Sequence, residues 1–144
     1  MWKPTFMFKE SSPFNVMSEP QERMMLAINN SEGRSGLVVA PCGSGKSAVL
    51  IKAAMEAGTM VIIFCYESQG VKQIANDLDK HTTLIKPQIC TYTGKDKKKH
   101  NSRFCYLITT YGMFAGPEER RNQASREMRD FVFKTHWDLM CCDE

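Results

Sequence analysis

The stretch Ala40-Pro41-Cys42-Gly43-Ser44-Gly45-Lys46-Ser47 constrains this chain more than any other. It matches the phosphate-binding loop G-x-x-x-x-G-K-[ST], with alanine at the first glycine position, a site that mainly needs a small residue. Gly43 and Gly45 let the backbone curl until its N–H groups face phosphate oxygens. A helix opening near Lys46 adds its positive end. The Lys46 ammonium is expected to reach the β- and γ-phosphates, and the Ser47 hydroxyl to ligate magnesium. The motif carries this meaning only between a buried strand and a helix. Leu37-Val38-Val39-Ala40 reads as a short strand buried on both faces. Lys46 to about Ala57 reads as the helix, with Gly58 placed to stop it.

The alternation continues along the chain. Ser18 with Gln21 three residues later is a capping-box pattern, and Met24, Met25 and Ile28 then give one apolar face. Met60 to Cys65 reads as a strand. Ser68 is an expected N-cap, and Val71, Ile74, Ala75 and Leu78 form a helical apolar stripe. Gln88 to Tyr92 and Phe104 to Thr109 read as further strands. Gly112 to Gln123 reads as loop, with Gly116-Pro117 as a turn signal. Ala124, Met128, Phe131, Val132 and Thr135 mark a last helix, and Trp137 to Cys142 a last strand. Strands alternating with helices predict an α/β fold: a mostly parallel, doubly wound sheet with helices on both faces.

The bulk numbers allow this and exclude little. A chain of 144 residues suggests one domain, and an apolar share of 42% with a charged share of 24% is ordinary for a globular protein. Residues 1–17 carry Pro4, Pro13 and no clean period, and read as a linker or the end of a preceding domain. The net charge of +3 permits a nucleic-acid partner without arguing for one. Apolar runs such as 60–65 are far short of the roughly 20 residues a membrane helix needs, and the N-terminus lacks the apolar run of a signal peptide. The six cysteines form no Cys-x-x-Cys pair and mostly lie in apolar runs, so reduced thiols are expected rather than disulfides or zinc ligands.

A second chemical feature lies at Asp143-Glu144. Such a dipeptide is usually solvated surface, but here it follows the apolar run Asp138-Leu139-Met140-Cys141-Cys142. At the end of a buried strand in a phosphate-loop fold, Asp143 would sit beside the magnesium and Glu144 would orient or deprotonate the attacking water.

With these motifs on the page, the chain resembles the XPB family of superfamily 2 helicases, the DNA translocases of the transcription and repair factor IIH. The likeness runs from about Gln21 to Glu144. It is most specific at Arg34-Ser35-Gly36 through Pro41-Cys42-Gly43-Ser44-Gly45-Lys46-Ser47. Thr109-Thr110-Tyr111-Gly112-Met113 is similar to the family's Ser-Thr-Tyr-Ser-Met, and Trp137 to Glu144 to the strand entering its Asp-Glu-x-His motif II. The resemblance implies that residues 18–144 are an incomplete first RecA-like domain of a 3′-to-5′ DNA-dependent ATPase. ATP and Mg2+ are then the cofactors; DNA, a second RecA-like domain and factor IIH-like subunits are the partners. The implied location is nuclear in a eukaryote and otherwise cytoplasmic or viral. It also implies that motif II's histidine, motif III, the second domain and its arginine finger lie outside this chain, so that the chain alone binds nucleotide weakly and hydrolyses it poorly or not at all. Other readings are a different DExH-type DNA motor, such as a restriction-enzyme translocase subunit, or a truncated paralogue that binds a partner without catalysis.

Gln21 has two readings: a helix-capping residue, or, by the resemblance, the adenine-recognising glutamine, although the family's Arg-Pro-Tyr-Gln here reads Ser18-Glu19-Pro20-Gln21. The resemblance also directs attention to Glu67-Ser68-Gln69, Thr93-Gly94 and Thr109-Thr110-Tyr111 as loops against a nucleic-acid backbone. Their hydroxyls and N–H groups suit contacts that ignore base identity; against this, Ser68 is an N-cap and Thr109 and Thr110 end a strand. The basic stretch from Lys95 through Lys97, Lys98, Lys99 and His100 to Arg103 reads as a solvated loop or a phosphate contact. Arg120, Arg121, Arg126 and Arg129 alternate with Glu118, Glu119, Glu127 and Asp130 as on a salt-bridged exposed helix. Phe104, Tyr106, Phe131, Phe133 and Trp137 are read as core.

Overall fold

The computed structural model describes residues 6–41, 43–95, 105–117 and 121–143. Its elements are α1 (Glu19–Asn29), α2 (Lys46–Ala57), β1 (Val61–Cys65), α3 (Ser68–His81), β2 (Ile89–Tyr92), β3 (Tyr106–Thr110), α4 (Gln123–Lys134) and β4 (Leu139–Asp143), with single 3-10 turns at Pro13–Asn15, Lys86–Gln88 and Tyr111–Met113. The four strands form one sheet in the order β2-β3-β1-β4, and every pairing is parallel. This is the parallel α/β architecture the alternating pattern predicts, and it agrees with the RecA-like domain the resemblance implies.

Each face of the sheet carries its own core because side chains alternate along a strand. On one face Val61, Ile63 and Cys65 of β1 meet Tyr106 and Ile108 of β3, closed over by Ile51 and Ala54 of α2 and Val71, Ile74 and Leu78 of α3. On the other, Ile62, Leu107, Cys90 and Tyr92 pack beneath Met128 and Val132 of α4. Strands buried on both sides explain the unbroken apolar runs in β1 and β3. Helix α1 docks on α2 through Met24, Met25 and Val49. It opens with the expected capping box: the Ser18 N–H donates to Gln21 Oε1 (2.8 Å) and the Gln21 N–H to Ser18 Oγ (3.4 Å).

Several expectations are corrected. Residues 37–40 form no strand: Leu37 and Val39 are 87% and 85% exposed. The apolar run assumed burial between two neighbours, but among the described residues β4 is the last strand on its side and none pairs with 37–40. Ser68 is the first residue of α3, and Glu67 occupies its N-cap without a side-chain bond. Phe133 is exposed, with the Arg129 guanidinium 5.4 Å above its ring, because it falls on the outer face of α4. Arg121 is not part of a salt-bridged face: it donates to the carbonyls of Met113 (2.7 Å) and Ala115 (2.9 Å) and to Ser125 Oγ (3.1 Å), tying the loop after β3 to α4. The readings placed on Lys97–Lys99, His100, Arg103, Phe104 and 118–120 lie outside the described residues.

Residues 6–17, set apart above by composition alone, lie against the end of α3. Phe6 enters the core and meets Tyr106 edge-on, with ring centroids 6.0 Å apart. The Lys9 N–H donates to the His81 carbonyl (2.8 Å) and the Thr83 N–H to that of Met7 (2.9 Å). His81 is buried, with Nδ1 3.0 Å from Ser12 Oγ and its ring 4.2 Å from that of Phe14.

Candidate nucleotide site

The loop predicted to hold phosphates is built as its sequence requires. Gly43 and Gly45 have φ of 78° and 82°, left-handed values that favour glycine. Ser44 closes the turn on Pro41, its hydroxyl donating to that carbonyl at 2.6 Å. Gly45 is the N-cap of α2 and offers no capping side chain, so the first N–H groups of α2 face outward without an intrahelical partner. Lys46 opens the helix and Ser47 follows, both half-buried. The Lys46 ammonium donates to the Ala40 carbonyl at 3.1 Å, a neutral acceptor that an anionic phosphate outcompetes. Cys42 lies outside the described residues.

Gln21 serves this loop as well as its own helix. While Oε1 caps α1, its Nε2 donates to the Gly45 carbonyl at 3.2 Å. The fit is close: a Cβ on Gly45 would fall 2.1 Å from Gln21 Nε2. Sequence spacing revealed the cap; the long-range bond to the loop has no local signal.

The sheet brings a carboxylate to the same end of the domain. In register, Cys65, Thr110 and Asp143 are partners at the C-terminal ends of β1, β3 and β4. Cys65 and Asp143 therefore share the face that α2 covers. Burial pushes the Cys65 thiol up to about 12, and the charge of Asp143 adds to the effect. Burial likewise holds the Cys141 thiol near 12, with Cys142 and Asp143 contributing. Helix α2 runs opposite to β4. Its C-terminal end is fastened to the start of β4 by Asp138, whose Oδ2 accepts from the N–H groups of Thr59 and Met60, each at 3.0 Å. Twelve helical residues span about 18 Å, slightly more than β4's five. The N-terminus of α2 and the C-terminal end of β4, which bears Asp143, therefore point toward the same end of the sheet. One hydroxyl (Ser47) and one carboxylate (Asp143) suit magnesium, which takes few protein ligands and completes its shell with phosphate oxygens and water. Glu144, the expected second acid, lies outside the described residues.

The residues singled out for nucleic acid separate into two groups. Ser68 is half-buried at the start of α3, Gly94 is exposed after β2, and Thr110 is half-buried at the end of β3. Thr93 and Thr109 are buried, and the Thr109 hydroxyl donates to the Tyr92 carbonyl at 2.6 Å. Thr109 thus binds β3 to β2. Two roles were not visible to sequence reasoning: Asp138, noted only as the start of a run, anchors the segment before β1, and Tyr111, named only as part of a loop, stacks its ring on Phe64 at 5.7 Å and 13°.

Together these features define a phosphate-loop α/β domain with an acid at the neighbouring strand end. The DEAD/DEAH box helicase family model matches residues 18–133, and the chain belongs to that family. Within it the chain is similar to the general transcription and DNA repair factor IIH helicase/translocase subunit XPB. It is 31% identical to that protein of Schizosaccharomyces pombe over 117 residues, 81% of this chain and 14% of the relative. To that of Drosophila melanogaster it is 30% identical over 134 residues, 92% of this chain and 16% of the relative. The subunit XPB/SSL2 of Saccharomyces cerevisiae is 30% identical over 81% of this chain and 14% of its own length. The chain thus spans about one-sixth or less of these relatives.

Proposed function

We propose that this chain carries the ATP-binding half-site of an XPB-type 3′-to-5′ DNA translocase, with residues 18–144 as part of the first of its two RecA-like domains. The glycine loop at the N-terminus of α2 and Asp143 at the C-terminal end of β4, on the face of the sheet that α2 covers, support this reading.

The N–H groups of Cys42, Gly43, Ser44 and Gly45, with the start of α2, would cradle the phosphates. Lys46 would leave the Ala40 carbonyl for the β- and γ-phosphates. Ser47 and Asp143 would hold Mg2+, which neutralises phosphate charge when bound. Glu144 would orient the attacking water. Gln21, already bonded to the loop, would read the adenine edge with its remaining amide hydrogen. Ser68, Gly94 and Thr110 would lie along one DNA strand; Thr109 would support them from within the sheet. Hydrolysis at full rate requires charge stabilisation from a second domain. In the assembled enzyme that domain, DNA and factor IIH-like subunits are the partners, in the nucleus for a eukaryotic source. Among the described residues no helix is long and apolar enough to cross a membrane.

Calorimetric titration of this chain with magnesium-ATP, beside Lys46→Ala, tests the reading. Binding that is lost in the variant supports it. Equal binding by both folded proteins would refute the phosphate-loop assignment.

A further inference from the structure

The turn that follows β3 is held by a cation as well as by packing. On the face of the sheet that α4 covers, Phe114 of this turn meets Phe64 edge-on at 5.8 Å and 84° and tilts over Tyr92 at 6.1 Å. Arg121, just before the N-cap of α4, clasps the same turn with its guanidinium. Nη1 donates to the Met113 carbonyl (2.7 Å) and to Ser125 Oγ (3.1 Å), and Nη2 to the Ala115 carbonyl (2.9 Å). Nε is buried and makes no hydrogen bond. Among the described residues every partner of this cation is neutral. Drawing a guanidinium onto carbonyls sacrifices hydration that an apolar side chain would never have had, so packing alone does not explain an arginine here.

The clasp changes what the turn presents to its surroundings. A carbonyl oxygen is the negative end of its peptide dipole and repels a phosphate. The Tyr111 carbonyl is engaged by the N–H groups of Phe114 (3.1 Å) and Ala115 (3.2 Å). Those of Met113 and Ala115 are engaged by Arg121. Gly112, between them, is exposed, and an added Cβ there would meet no atom within 4 Å. The backbone at Gly112 is therefore open to close approach, in a turn whose neighbouring acceptors are occupied and whose nearest cation keeps its full charge.

We propose that Arg121 is a positioning residue for nucleic-acid binding: by holding the Met113 and Ala115 carbonyls it fixes the turn after β3 in the form that admits a backbone phosphate at Gly112, without touching the phosphate itself. The inference rests on the reading above that sets Thr110, the residue before this turn, along one DNA strand, and it deepens that reading.

The whole chain is titrated onto a fluorescent single-stranded oligothymidylate, and binding is followed by anisotropy over a series of salt concentrations. Arg121→Met is expected to weaken binding about tenfold, the size of one charge-assisted hydrogen bond. Arg121→Lys should weaken it as much, because an ammonium lacks the planar fork that reaches both carbonyls and Ser125. In both variants the salt dependence should keep the parent's slope, since no phosphate contact is lost, and calorimetric magnesium-ATP affinity should hold. Gly112→Ala, whose new methyl group meets nothing in the fold, should also weaken strand binding. A shallower slope in Arg121→Met, with slope and affinity restored in Arg121→Lys, makes Arg121 a direct phosphate contact and overturns the positioning role. Parental strand affinity in Arg121→Met, or an equal loss of strand and ATP affinity, overturns it and leaves the DNA-side reading intact. Parental affinity in Gly112→Ala overturns the proposal even where the Arg121 variants fail to fold. A parent chain that binds no single strand overturns the DNA-side reading and this proposal with it.

Discussion

Replacing Gly45 by alanine separates two costs that the structure superimposes. The first is conformational: at φ 82° an alanine pays about 1–2 kcal/mol for the left-handed region. The second is steric, since the new Cβ would lie 2.1 Å from Gln21 Nε2 and 2.9 Å from its Cδ. The offending atoms end a flexible side chain, so Gln21 can swing away. It then forfeits its bond to the Gly45 carbonyl and its half of the α1 capping box, together about 1–2 kcal/mol. The single variant is thus expected to lose ~3 kcal/mol in urea unfolding followed by circular dichroism. In a Gln21→Ala background the second cost is already paid, and Gly45→Ala should lose only the conformational ~1–2 kcal/mol. A coupling energy near zero across this cycle would refute the claim that Gln21 braces the phosphate loop.

The other predictions are briefer. Lys46→Ala should leave the unfolding midpoint within experimental scatter, because among the described residues its ammonium meets a coil carbonyl, and abolish calorimetric magnesium-ATP binding. Asp138→Ala leaves the Thr59 and Met60 N–H groups without their acceptor and should cost about 2–4 kcal/mol in chemical denaturation; a loss under 1 kcal/mol would deny it the clamp role. Thr109→Val should destabilise by about 1 kcal/mol through the lost bond to Tyr92 and leave DNA affinity untouched in a filter-binding assay. Alkaline stability follows from Cys65 and Cys141, raised to about 12 from an ordinary 9.0. The folded state keeps these protons after the unfolded state has lost them, so stability should decline between about pH 9 and 12. A pH titration of the urea midpoint that stayed level there would contradict their burial.

Much of the fold was legible because its signals are local. The capping box at Ser18, the stripe through Val71 and Leu78, and the apolar runs of β1 and β3 each report a period or a burial state that short-range physics dictates. The phosphate loop was legible for the same reason, since left-handed turns demand glycine. The strand assigned to 37–40 failed because burial on two faces depends on neighbours, and a sequence run cannot specify that they are present. The roles of Asp138, Arg121 and Tyr111 were missed because their partners lie across the fold, from the carbonyls of Met113 and Ala115 to the ring of Phe64. Thr109 stood in the sequence between a strand end and a nucleic-acid contact, and the bond from its hydroxyl to the Tyr92 carbonyl is the part that no local signal gave.

The position of β1 between β3 and β4 bears on how the molecule can be made. The bond from Met60 to Asp138 closes a separation of 78 residues, and β1 emerges from the ribosome long before β4 can reach it. Contacts so distant along the chain form slowly. Until they form, one edge of β1, apolar on both faces, has no strand beside it and is open to other chains. Translation pauses or chaperone capture before residue 139 should therefore govern yield more strongly than any change within α1 or α3. Variants of Asp138 should be recognised first by what accumulates as insoluble nascent product.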